Sequence, residues 1–267
     1  MQNSRKIAIQ FLNEEKYRQT ICYPTYTTEE FKQRLKELEK LRISAIEFIG
    51  QKQVHSLPVL GKGCVGIVVI AYRNNEKVAL KIRQADANRS TMQHEAHMLK
   101  KANEIGIGPC LLRTTRNFLL MEYIEGDLLP EWINTLEGKN ARERLCHVSR
   151  LILEQAWKLD NIGLDHGELS HAPKHIIIKP NDVPCLVDFE TASISRAVSN
   201  VTSLCQYLFI GSSLAKLVQR KLGDINKETL VEVLRAYKKK RGEESFKEIL
   251  KMCKVLEGTL YGMDSNT

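Results

Sequence analysis

Three glycines and a lysine in the first third of the chain have the types and spacing of a phosphate-binding loop. The glycines are Gly61, Gly63 and Gly66, and an apolar run that ends in Lys81 follows them. Glycine has no Cβ, so a glycine-rich backbone can turn tightly and direct its N–H groups at phosphate oxygens. The pattern predicts two strands joined by this turn and a third strand that ends at Lys81. Lys81 would bind the α- and β-phosphates of a nucleotide, and Val68 would cover its base.

The glycine spacing alone is also compatible with two different structures. A Rossmann dinucleotide site has the same G-x-G-x-x-G spacing, but there the glycines lie between a strand and a helix, whereas here they lie between two predicted strands. The second structure is a β-hairpin with a glycine-rich turn and an unrelated lysine. It remains open when this segment is considered by itself.

A carboxylate that could hold the lysine in place follows within a predicted helix. The sequence predicts this helix over 92–102, with Ser90 and Thr91 as candidate caps. Glu95 lies early in the helix, where it could pair with Lys81 and hold the ammonium group on the phosphates. The alternative is a solvated helix carboxylate.

A hinge between two lobes is predicted where an apolar segment opens into polar residues. Residues 118–121 are apolar, and Glu122 and Tyr123 follow them directly. Backbone groups at Glu122 and Tyr123 would face the edge of an adenine base. The alternative is an ordinary buried strand that ends in a turn.

A second group of acidic and imidazole side chains lies between residues 164 and 190. Glu168 precedes an apolar strand that begins directly after His175, and a second predicted strand runs into Asp188. Two adjacent strands with acids at these ends would place carboxylates near a phosphate, where they could bind Mg²⁺ and align a hydroxyl nucleophile. The alternative is a hairpin with solvated acids at its ends.

In this order, the motifs resemble those of the protein-kinase-like superfamily, and within it the atypical branch that contains the RIO kinases, the kinase subunit of the KEOPS complex and archaeal predicted Ser/Thr protein kinases. The resemblance covers about Leu57 to Phe209. RIO-type features are Gly-Ile-Gly-Pro at 106–109, the hinge sequence Met-Glu-Tyr-Ile at 121–124, and Leu169-Ser170 after the predicted catalytic acid. The chain also has no Ala-Pro-Glu motif and soon enters a predicted helix after Asp188.

This resemblance implies an α+β, bilobal protein-kinase-like fold. Outside the resemblance, the helical spacing of Phe31, Leu35, Leu38 and Leu41 predicts an amphipathic helix over 30–41, so residues 1–50 would form an N-terminal helical extension. Residues 51–125 would form a small N-lobe with an antiparallel sheet, one key helix and the hinge. Residues 126–267 would form a mainly helical C-lobe without a long activation segment.

The resemblance also implies a reaction and a role for each residue. The reaction would be transfer of a phosphoryl group from ATP to a Ser or Thr hydroxyl of a protein, with Mg²⁺ or Mn²⁺ as the metal cofactor. Lys81 would bind the phosphates and Glu95 would orient it. Glu168 would accept the hydroxyl proton or position the nucleophile, and Asp188 would hold the metal.

The segment around the catalytic acid departs from the family pattern. Glu168 stands where the family has aspartate, and Pro173 stands where the family has a metal-binding asparagine. The loop is longer than in the family, so His175 is the residue directly before the strand and becomes a candidate metal ligand. An imidazole nitrogen suits Mn²⁺ better than Mg²⁺, which prefers oxygen. Glu190 replaces the glycine of the family's Asp-Phe-Gly.

Two further functions remain open for the same residues. A small-molecule kinase of the aminoglycoside-phosphotransferase type shares the His-Gly-acid sequence and the short segment after the metal-binding aspartate. It predicts a strongly acidic substrate pocket, which this basic chain does not indicate. The other candidate is a nucleotide-binding pseudokinase or ATPase that acts as an assembly factor for a ribonucleoprotein, a tRNA or the ribosome, and the departures from the family pattern favour it.

The composition indicates a folded protein with a basic surface. Of the 267 residues, 43% are hydrophobic and 27% are charged, and the formal net charge is +8. This length suits one bilobal unit or two small domains. The densest basic run, Lys238 to Arg241, predicts contact with RNA or a ribonucleoprotein, or else a solvated helix face.

Cysteine usage and hydropathy predict a cytoplasmic protein without a membrane span. The seven cysteines form no C-x-x-C pair. Cys64, Cys110, Cys185 and Cys205 lie in apolar contexts, which predicts buried, reduced thiols rather than disulfides or a zinc site. No apolar run is long enough for a span, and residues 1–6 lead into no signal-type core.

Overall fold

The chain divides into two compact units between Ile124 and Glu125, and a computed structural model describes its residues 5–88 and 91–256. An antiparallel sheet forms the centre of the N-terminal unit, and the C-terminal unit is mainly helical. The α+β class predicted from the sequence is therefore confirmed.

The N-terminal unit is built on one main sheet with helices before and after its central strands. Its elements in chain order are β1 (Arg5–Ala8), α1 (Glu15–Ile21), α2 (Thr28–Lys40), β2 (Ile43–Phe48), β3 (Lys52–Val54), β4 (Leu57–Val59), β5 (Gly61–Lys62), β6 (Gly66–Arg73), β7 (Glu76–Arg83), α3 (Gln93–Asn103), β8 (Leu111–Thr114) and β9 (Phe118–Glu122). The main sheet has the antiparallel order β1-β2-β6-β7-β9-β8, with β5 beside β6, and β3 and β4 form a separate hairpin.

The hairpin of β6 and β7 is central to this sheet, and its sequence explains its register. Both strands are rich in β-branched and aliphatic residues, which suit a buried pleated surface. Asn74 and Asn75 between them adopt φ values of 51° and 66°, as a two-residue type I′ turn requires. Arg73 pairs with Glu76 across this turn, and the pairing continues along the full length of both strands.

The strand β7 extends to Arg83, past Lys81, where the sequence predicted its end. Ile82 pairs with Phe118 on β9, and the Arg83 N–H donates to the carbonyl of Asn117 at 2.8 Å, so the hydrogen-bonded ladder continues. Lys81 itself is paired with β6 on one side and β9 on the other. Its backbone is therefore fixed from both sides.

The segment 1–50, predicted as a helical extension, also supplies strands to the main sheet. The helix α2 begins after Thr27, whose side chain accepts a hydrogen bond from the Glu30 N–H at 3.2 Å and so caps the helix. Phe31 and Leu38 on its buried face join the apolar core of the unit. The strands β1 and β2, which sequence analysis did not identify, lie on one side of β6, with β2 directly paired to it.

The helix α3 begins close to its predicted start. Met92 precedes its first residue, and the Thr91 side chain accepts a weak hydrogen bond from the Gln93 N–H at 3.4 Å. Ser90, the other candidate cap, lies outside the described residues. Glu95 lies in the first turn of α3, as the sequence predicted.

The C-terminal unit packs helices around a long central helix and one small sheet. Its elements in chain order are β10 (Asp127–Leu128), α4 (Leu129–Thr135), α5 (Ala141–Asn161), β11 (Ile176–Lys179), β12 (Val183–Leu186), α6 (Asn200–Cys205), a π-helical turn (Gln206–Ile210), α7 (Ser213–Leu222), α8 (Lys227–Lys239) and α9 (Glu243–Met252). The helix α5 contacts β12, α6, α7 and α9. Its buried residues recur every three or four positions, as the apolar stripe of a core helix does.

The burial of the cysteines agrees only partly with the sequence prediction. Cys185 and Cys205 are buried, but Cys64 and Cys110 are exposed, so the prediction was wrong for these two. Cys64 lies in the glycine-rich turn and Cys110 directly precedes β8, and both positions lie outside the strands that form the core. The neighbouring apolar residues therefore do not cover these two thiols.

Within residues 5–88 and 91–256, no single helix has the length and hydropathy needed to cross a membrane. One pair of segments, Asn200–Ile210 and Ser213–Leu222, passes by length and composition together, but the two are bent by 74° at their junction.

Candidate functional site

A buried ion pair joins the predicted phosphate-binding lysine to the first turn of α3. Lys81 Nζ lies 2.9 Å from Glu95 Oε1, and the two side chains are 4% and 5% exposed. The β7 backbone fixes Lys81, and the start of α3 fixes Glu95. Removing two charges from water costs free energy that a single pair interaction rarely repays in full, so such a pair is weak evidence for stability and better evidence for function.

Val68 and Lys81 lie on the same face of the sheet, because directly opposed residues on neighbouring strands share a face. Gly61 on β5 pairs with Val68 on β6, and Val68 pairs with Lys81 on β7. Val68 is partly exposed, whereas its neighbours Ile67 and Val69 are buried. A planar apolar part of a ligand that lies over Lys81 on this face of the sheet would therefore contact the Val68 side chain.

The three glycines of the turn have different structural roles. A Cβ on Gly66 would lie 2.8 Å from the carbonyl oxygen of Ile82, so only glycine permits this close approach of β6 to β7. A Cβ on Gly61 would make only ordinary contact with Val68, at 3.6 Å. The Gly63 N–H donates to the Gly66 carbonyl at 2.9 Å, so in this conformation it closes the turn rather than pointing outward to a phosphate.

Gln84, which sequence analysis missed, holds the glycine-rich turn at the end of β7. Its side-chain Nε2 donates to the Gly63 carbonyl at 2.6 Å, and its backbone N–H donates to the Val65 carbonyl at 2.7 Å. Because Gln84 is near Lys81 in the chain, these hydrogen bonds link the turn to the strand that positions the lysine.

A buried arginine connects the same strand end to the helix α2. Arg34 Nη1 donates to the carbonyls of Ile21 at 2.6 Å and Arg83 at 2.8 Å, and its Nε donates to Glu30 at 2.8 Å. Burial and the neighbouring Arg34 guanidinium lower the pKa of Arg83. Arg83 Nη1 in turn donates to the Gln84 carbonyl at 2.8 Å. The N-terminal helix thus reaches the glycine-rich turn through a continuous series of hydrogen bonds.

The predicted hinge residues follow the last strand pairing of the N-terminal unit. Glu122 ends β9, donates its N–H to the Cys110 carbonyl at 2.9 Å, and accepts a hydrogen bond from the Cys110 N–H at 3.1 Å through its carboxylate. The Lys77 ammonium lies 5.9 Å from the ring centroid of Tyr123. Two residues beyond Glu122, at Ile124, the N-terminal unit ends.

In the C-terminal unit, the hairpin of β11 and β12 explains how residues far apart in sequence come together. Ile176 pairs with Leu186, and one step farther the Val187 N–H donates to the His175 carbonyl at 3.0 Å. His175 and Asp188 therefore flank the open end of the hairpin. One donor atom each from Glu168, His175 and Asp188 lies within 4.8 Å of the others.

The imidazole of His175 is buried at the centre of this cluster. The side chain is 1% exposed, and Nε2 lies 2.8 Å from Glu168 Oε2 and 3.7 Å from Asp188 Oδ2. Neither ring nitrogen makes a hydrogen bond within the described residues, so the short contact with Glu168 lacks hydrogen-bond geometry. Burial lowers the pKa of His175, although both nearby carboxylates oppose that shift. In its neutral form the imidazole has a lone pair that a cation could accept.

The two carboxylates of the cluster lie at or next to residues with positive φ. Asp188 has a φ of 69°, in the left-handed region that a non-glycine residue seldom adopts, and such residues concentrate at functional sites. Gly167, directly before Glu168, has a φ of 92°, and an added Cβ would lie 2.7 Å from the Thr191 hydroxyl oxygen. Glycine is therefore required next to Glu168.

His166 is a second buried imidazole that sequence analysis did not identify as a site residue. Its Nε2 lies 3.1 Å from the Val187 carbonyl oxygen, and its ring packs against those of His175 and Phe189 at 5.7 Å and 4.9 Å between centroids. Burial and then the neighbouring His175 lower the pKa of His166 to about 4. His166 thus supports the position of His175 and of the backbone before Asp188.

A polar network behind the cluster fixes the segment that contains His166. The Asn200 side chain accepts a hydrogen bond from the His166 N–H at 2.8 Å and donates to the Leu164 carbonyl at 2.7 Å. Asp160 on α5 accepts hydrogen bonds from the Asn200 N–H at 3.0 Å and from the Tyr237 hydroxyl at 3.0 Å. These contacts join helices distant in sequence, and no local pattern could have predicted them.

The donors of the cluster fit a divalent cation. Carboxylate oxygens and a neutral imidazole nitrogen are ordinary ligands for such ions. A buried nitrogen without a hydrogen bond costs about 1–3 kcal/mol, and a bound cation would remove that cost. Among the sequence-predicted residues, the structure thus brings together Lys81 with Glu95 in one unit, and Glu168 with His175 and Asp188 in the other.

The basic run predicted to contact RNA lies at the end of α8. Lys238, Lys239 and Lys240 are exposed, whereas the Arg241 guanidinium donates to the Val198 carbonyl at 3.0 Å. The three lysines are therefore accessible to a polyanion, and Arg241 has a structural contact.

No protein-family model matches this chain, and a search of curated proteins found no match either. Function is therefore inferred from the two clusters of side chains themselves.

Proposed function

We propose that this protein transfers a phosphoryl group from ATP to a Ser or Thr hydroxyl of a protein, as an atypical kinase of the RIO-like type. The observation that supports this most strongly is the buried Lys81–Glu95 pair beside a glycine-rich hairpin. A lysine fixed by a helical glutamate under such a turn is the arrangement that binds nucleotide phosphates in protein kinases. The proposal includes the bilobal protein-kinase-like fold that the sequence resembles.

In this proposal the N-terminal unit binds the nucleotide. Lys81 binds the α- and β-phosphates, and Glu95 holds its ammonium group in place. The glycine-rich turn covers the phosphates, Val68 covers the base, and backbone groups at Glu122 and Tyr123 meet the adenine edge. Such positioning supplies most of the catalysis in phosphoryl transfer, because the protein forms no covalent bond to the phosphate.

In this proposal the C-terminal unit supplies the groups that act on the transferred phosphoryl group and on the hydroxyl that accepts it. Asp188 and His175 hold the metal ion, either Mg²⁺ or Mn²⁺. When bound, the cation neutralises charge on the phosphate oxygens. Glu168 accepts the proton of the hydroxyl or positions that hydroxyl. Only residues 189–199 separate Asp188 from α6, which agrees with the absence of a long activation segment.

Radiolabelled ATP with purified protein tests the proposal. We expect label to appear on the protein itself or on an added protein substrate rich in Ser and Thr, with either Mg²⁺ or Mn²⁺ present. Lys81→Met and Asp188→Asn should each lower the rate by about 10²–10³-fold, because each removes a preorganised charge from the site. Lys36→Met and Asp127→Asn, which replace exposed residues of the same types, are the matched controls. Transfer that survives both site variants at the control rate contradicts the proposal.

A second function, nucleotide binding without transfer, has one observation in its favour. Glu168 lies 2.8 Å from His175, so its carboxylate is directed at the cluster of candidate metal ligands and is less free to receive a hydroxyl proton. A pseudokinase or ATPase that assists assembly of a ribonucleoprotein would need only the binding residues. Saturable ATP binding with no labelled protein or peptide under any metal would favour this function.

A further inference from the structure

His175 is a buried polar side chain that contacts a carboxylate without a hydrogen bond of regular geometry at either ring nitrogen. It is 1% exposed, and neither Nδ1 nor Nε2 makes a hydrogen bond within the described residues. The hairpin pairing at the His175 carbonyl and the ring contact with His166 hold the side chain in place. Because buried polar groups are almost always paired, such a nitrogen indicates a missing ligand.

Two carboxylates converge on this nitrogen. Nε2 lies 2.8 Å from Glu168 Oε2 and 3.7 Å from Asp188 Oδ2, and the donor atoms of all three residues lie within 4.8 Å of one another. Donor atoms that share one cation at about 2.0–2.2 Å stand roughly 3–3.5 Å apart, which these separations bracket. The short contact between Nε2 and Oε2 is not a hydrogen bond. Both atoms are therefore placed to share a third partner.

The donor set indicates which class of cation would bind. Mg²⁺ requires oxygen ligands in near-ideal octahedral geometry and usually retains several waters. An imidazole with two carboxylates instead suits divalent first-row transition metals, whose affinity for such a site rises from Mn²⁺ through Co²⁺ towards the later members of the series. Asp188 has a strained, left-handed backbone conformation, and such strain is commonly retained where a side chain must be held in one position.

We propose that Glu168, His175 and Asp188 form a three-ligand site for a divalent first-row transition metal, and that the protein binds this metal without a nucleotide. In this assignment Glu168 is a metal ligand rather than the acceptor of the hydroxyl proton. The catalytic meaning of the site rests on the proposed phosphoryl transfer, whereas the metal binding does not.

Titration of the nucleotide-free protein with Co²⁺ tests the assignment, because Co²⁺ bound by nitrogen and oxygen ligands absorbs visible light. Calorimetry of the same titration gives the affinity. Electron-spin-echo spectroscopy of the Mn²⁺-loaded protein detects a directly bound nitrogen nucleus. We expect saturable binding of one Co²⁺ per chain and a nitrogen signal from Mn²⁺.

Single substitutions distinguish the three proposed ligands from other residues of the C-terminal unit. Glu168→Gln, His175→Gln and Asp188→Asn should each weaken Co²⁺ binding by at least about 100-fold, since removal of an outer partner alone costs about 10–100-fold. His147→Asn and Asp127→Asn replace residues of the same types outside the cluster and should bind as the wild type does. Glu168 is 34% exposed, so its variant tests the proposal even where the variant of buried His175 does not fold.

Three results overturn the assignment. They are no Co²⁺ binding up to about 1 mM, a Mn²⁺ spectrum without a nitrogen signal, and wild-type affinity in Glu168→Gln. Failure of the proposed phosphoryl transfer gives a different pattern, with intact metal binding and no labelled product. Failure of this inference alone gives labelled product with Mg²⁺ but no metal binding in the absence of nucleotide.

Discussion

At the scale of single residues, burial of charge is what distinguishes the candidate site from an ordinary surface. Lys81 and Glu95 are almost completely inaccessible, yet each retains a charged partner. Replacing such a pair with apolar residues is often neutral or stabilising, while removing one partner leaves an unpaired buried charge. The pair therefore predicts a specific response to substitution.

Lys81→Met should keep the fold and lose nucleotide binding. Methionine fills a similar volume and removes the positive charge, but Glu95 then remains buried without its cation, so some loss of stability accompanies the change. We expect ATP to raise the melting temperature of the wild type and of Lys36→Met, which replaces an exposed lysine on α2, and to have little effect on Lys81→Met. The double variant Lys81→Met/Glu95→Gln should recover stability without recovering the response to ATP.

This prediction is decided by thermal-shift titration with ATP and a circular dichroism spectrum of each variant. An ATP response of Lys81→Met equal to that of Lys36→Met would show that the buried lysine does not bind phosphate.

Asp188→Asn should remove the metal dependence of nucleotide binding. Asparagine retains the size and one oxygen but not the charge that attracts a cation. The affinity of the wild type for ATP should rise when Mg²⁺ or Mn²⁺ is added, whereas that of the variant should change little. Asp127→Asn is the control. Calorimetric titrations with and without metal provide the comparison, and a wild-type metal dependence in the variant would make Asp188 a structural residue.

Residues with a chemical signature were predictable, and residues that only position others were not. Lys81 and Glu95 were found because a glycine-rich turn and a helix start mark their places in the sequence. Gln84 and Asn200 were missed because their roles depend on hydrogen bonds to backbone groups of distant segments. His175 was predicted from its place before a strand, but its burial without hydrogen bonds became visible only in the structure.

At the scale of elements, the helix α2 is part of the apparatus that positions the glycine-rich turn. Its apolar stripe predicted the helix correctly, because spacing of three and four residues is a local property. The strands β1 and β2 on either side of α1 and α2 were not predicted, since their place beside β6 is set by distant residues. The same limitation concealed the contact between Arg34 and the end of β7.

Gln84→Leu should weaken ATP binding without unfolding the protein. The substitution removes the hydrogen bond from Nε2 to the Gly63 carbonyl and keeps the backbone contact with Val65. One hydrogen bond contributes about 1 kcal/mol, so we expect about a fivefold loss of affinity. Gln53→Leu, an exposed position on β3, is the matched control. Calorimetry measures the affinity, and equal affinities for the two variants would separate Gln84 from nucleotide binding.

Asp160 on α5 has the corresponding role in the C-terminal unit. Its carboxylate accepts hydrogen bonds from Asn200 at the start of α6 and from the Tyr237 hydroxyl on α8. Asp160→Ala should cost on the order of 3 kcal/mol, because several buried donors lose their acceptor. Asp160→Asn should cost less, since it keeps one acceptor oxygen. Urea unfolding of both variants measures these differences.

The pKa shift of the Asp160 carboxyl determines whether protein stability rises or falls with pH. Burial raises the pKa of Asp160, although hydrogen bonds from Tyr237 and Asn200 oppose the shift. The native state therefore keeps this proton over a range where the unfolded state loses it, and stability from Asp160 falls as the pH rises through that range. Above the pH at which an unfolded carboxyl ionises, the wild type should lose stability with rising pH relative to Asp160→Asn, whose amide does not titrate. A matching pH profile in both proteins would contradict the raised pKa.

At the scale of the whole molecule, each of the two compact units contains buried apolar side chains. The core of the N-terminal unit includes Ile46 and Leu80, and that of the C-terminal unit includes Ile152 and Leu153. Units with their own cores commonly unfold as separate cooperative transitions. The boundary between the units lies close to the predicted hinge. The sequence indicates that hinge by the polar residues that directly follow an apolar strand.

The position of the tryptophans allows the two unfolding transitions to be separated. Both tryptophans of the chain, Trp132 and Trp157, are in the C-terminal unit, where Trp157 stacks on Phe246 with 5.0 Å between ring centroids. Tryptophan fluorescence therefore reports on that unit alone, while far-ultraviolet circular dichroism reports on both.

Loss of a buried aliphatic side chain costs about 2–5 kcal/mol in the unit that contains it. Leu153→Ala should lower the urea midpoint measured by fluorescence. Ile46→Ala should leave that midpoint unchanged and lower the midpoint of the unfolding transition of the N-terminal unit, which only circular dichroism detects. If Ile46→Ala moves the fluorescence midpoint as far as Leu153→Ala does, the two units unfold as one, and a ligand bound to either would stabilise the whole chain.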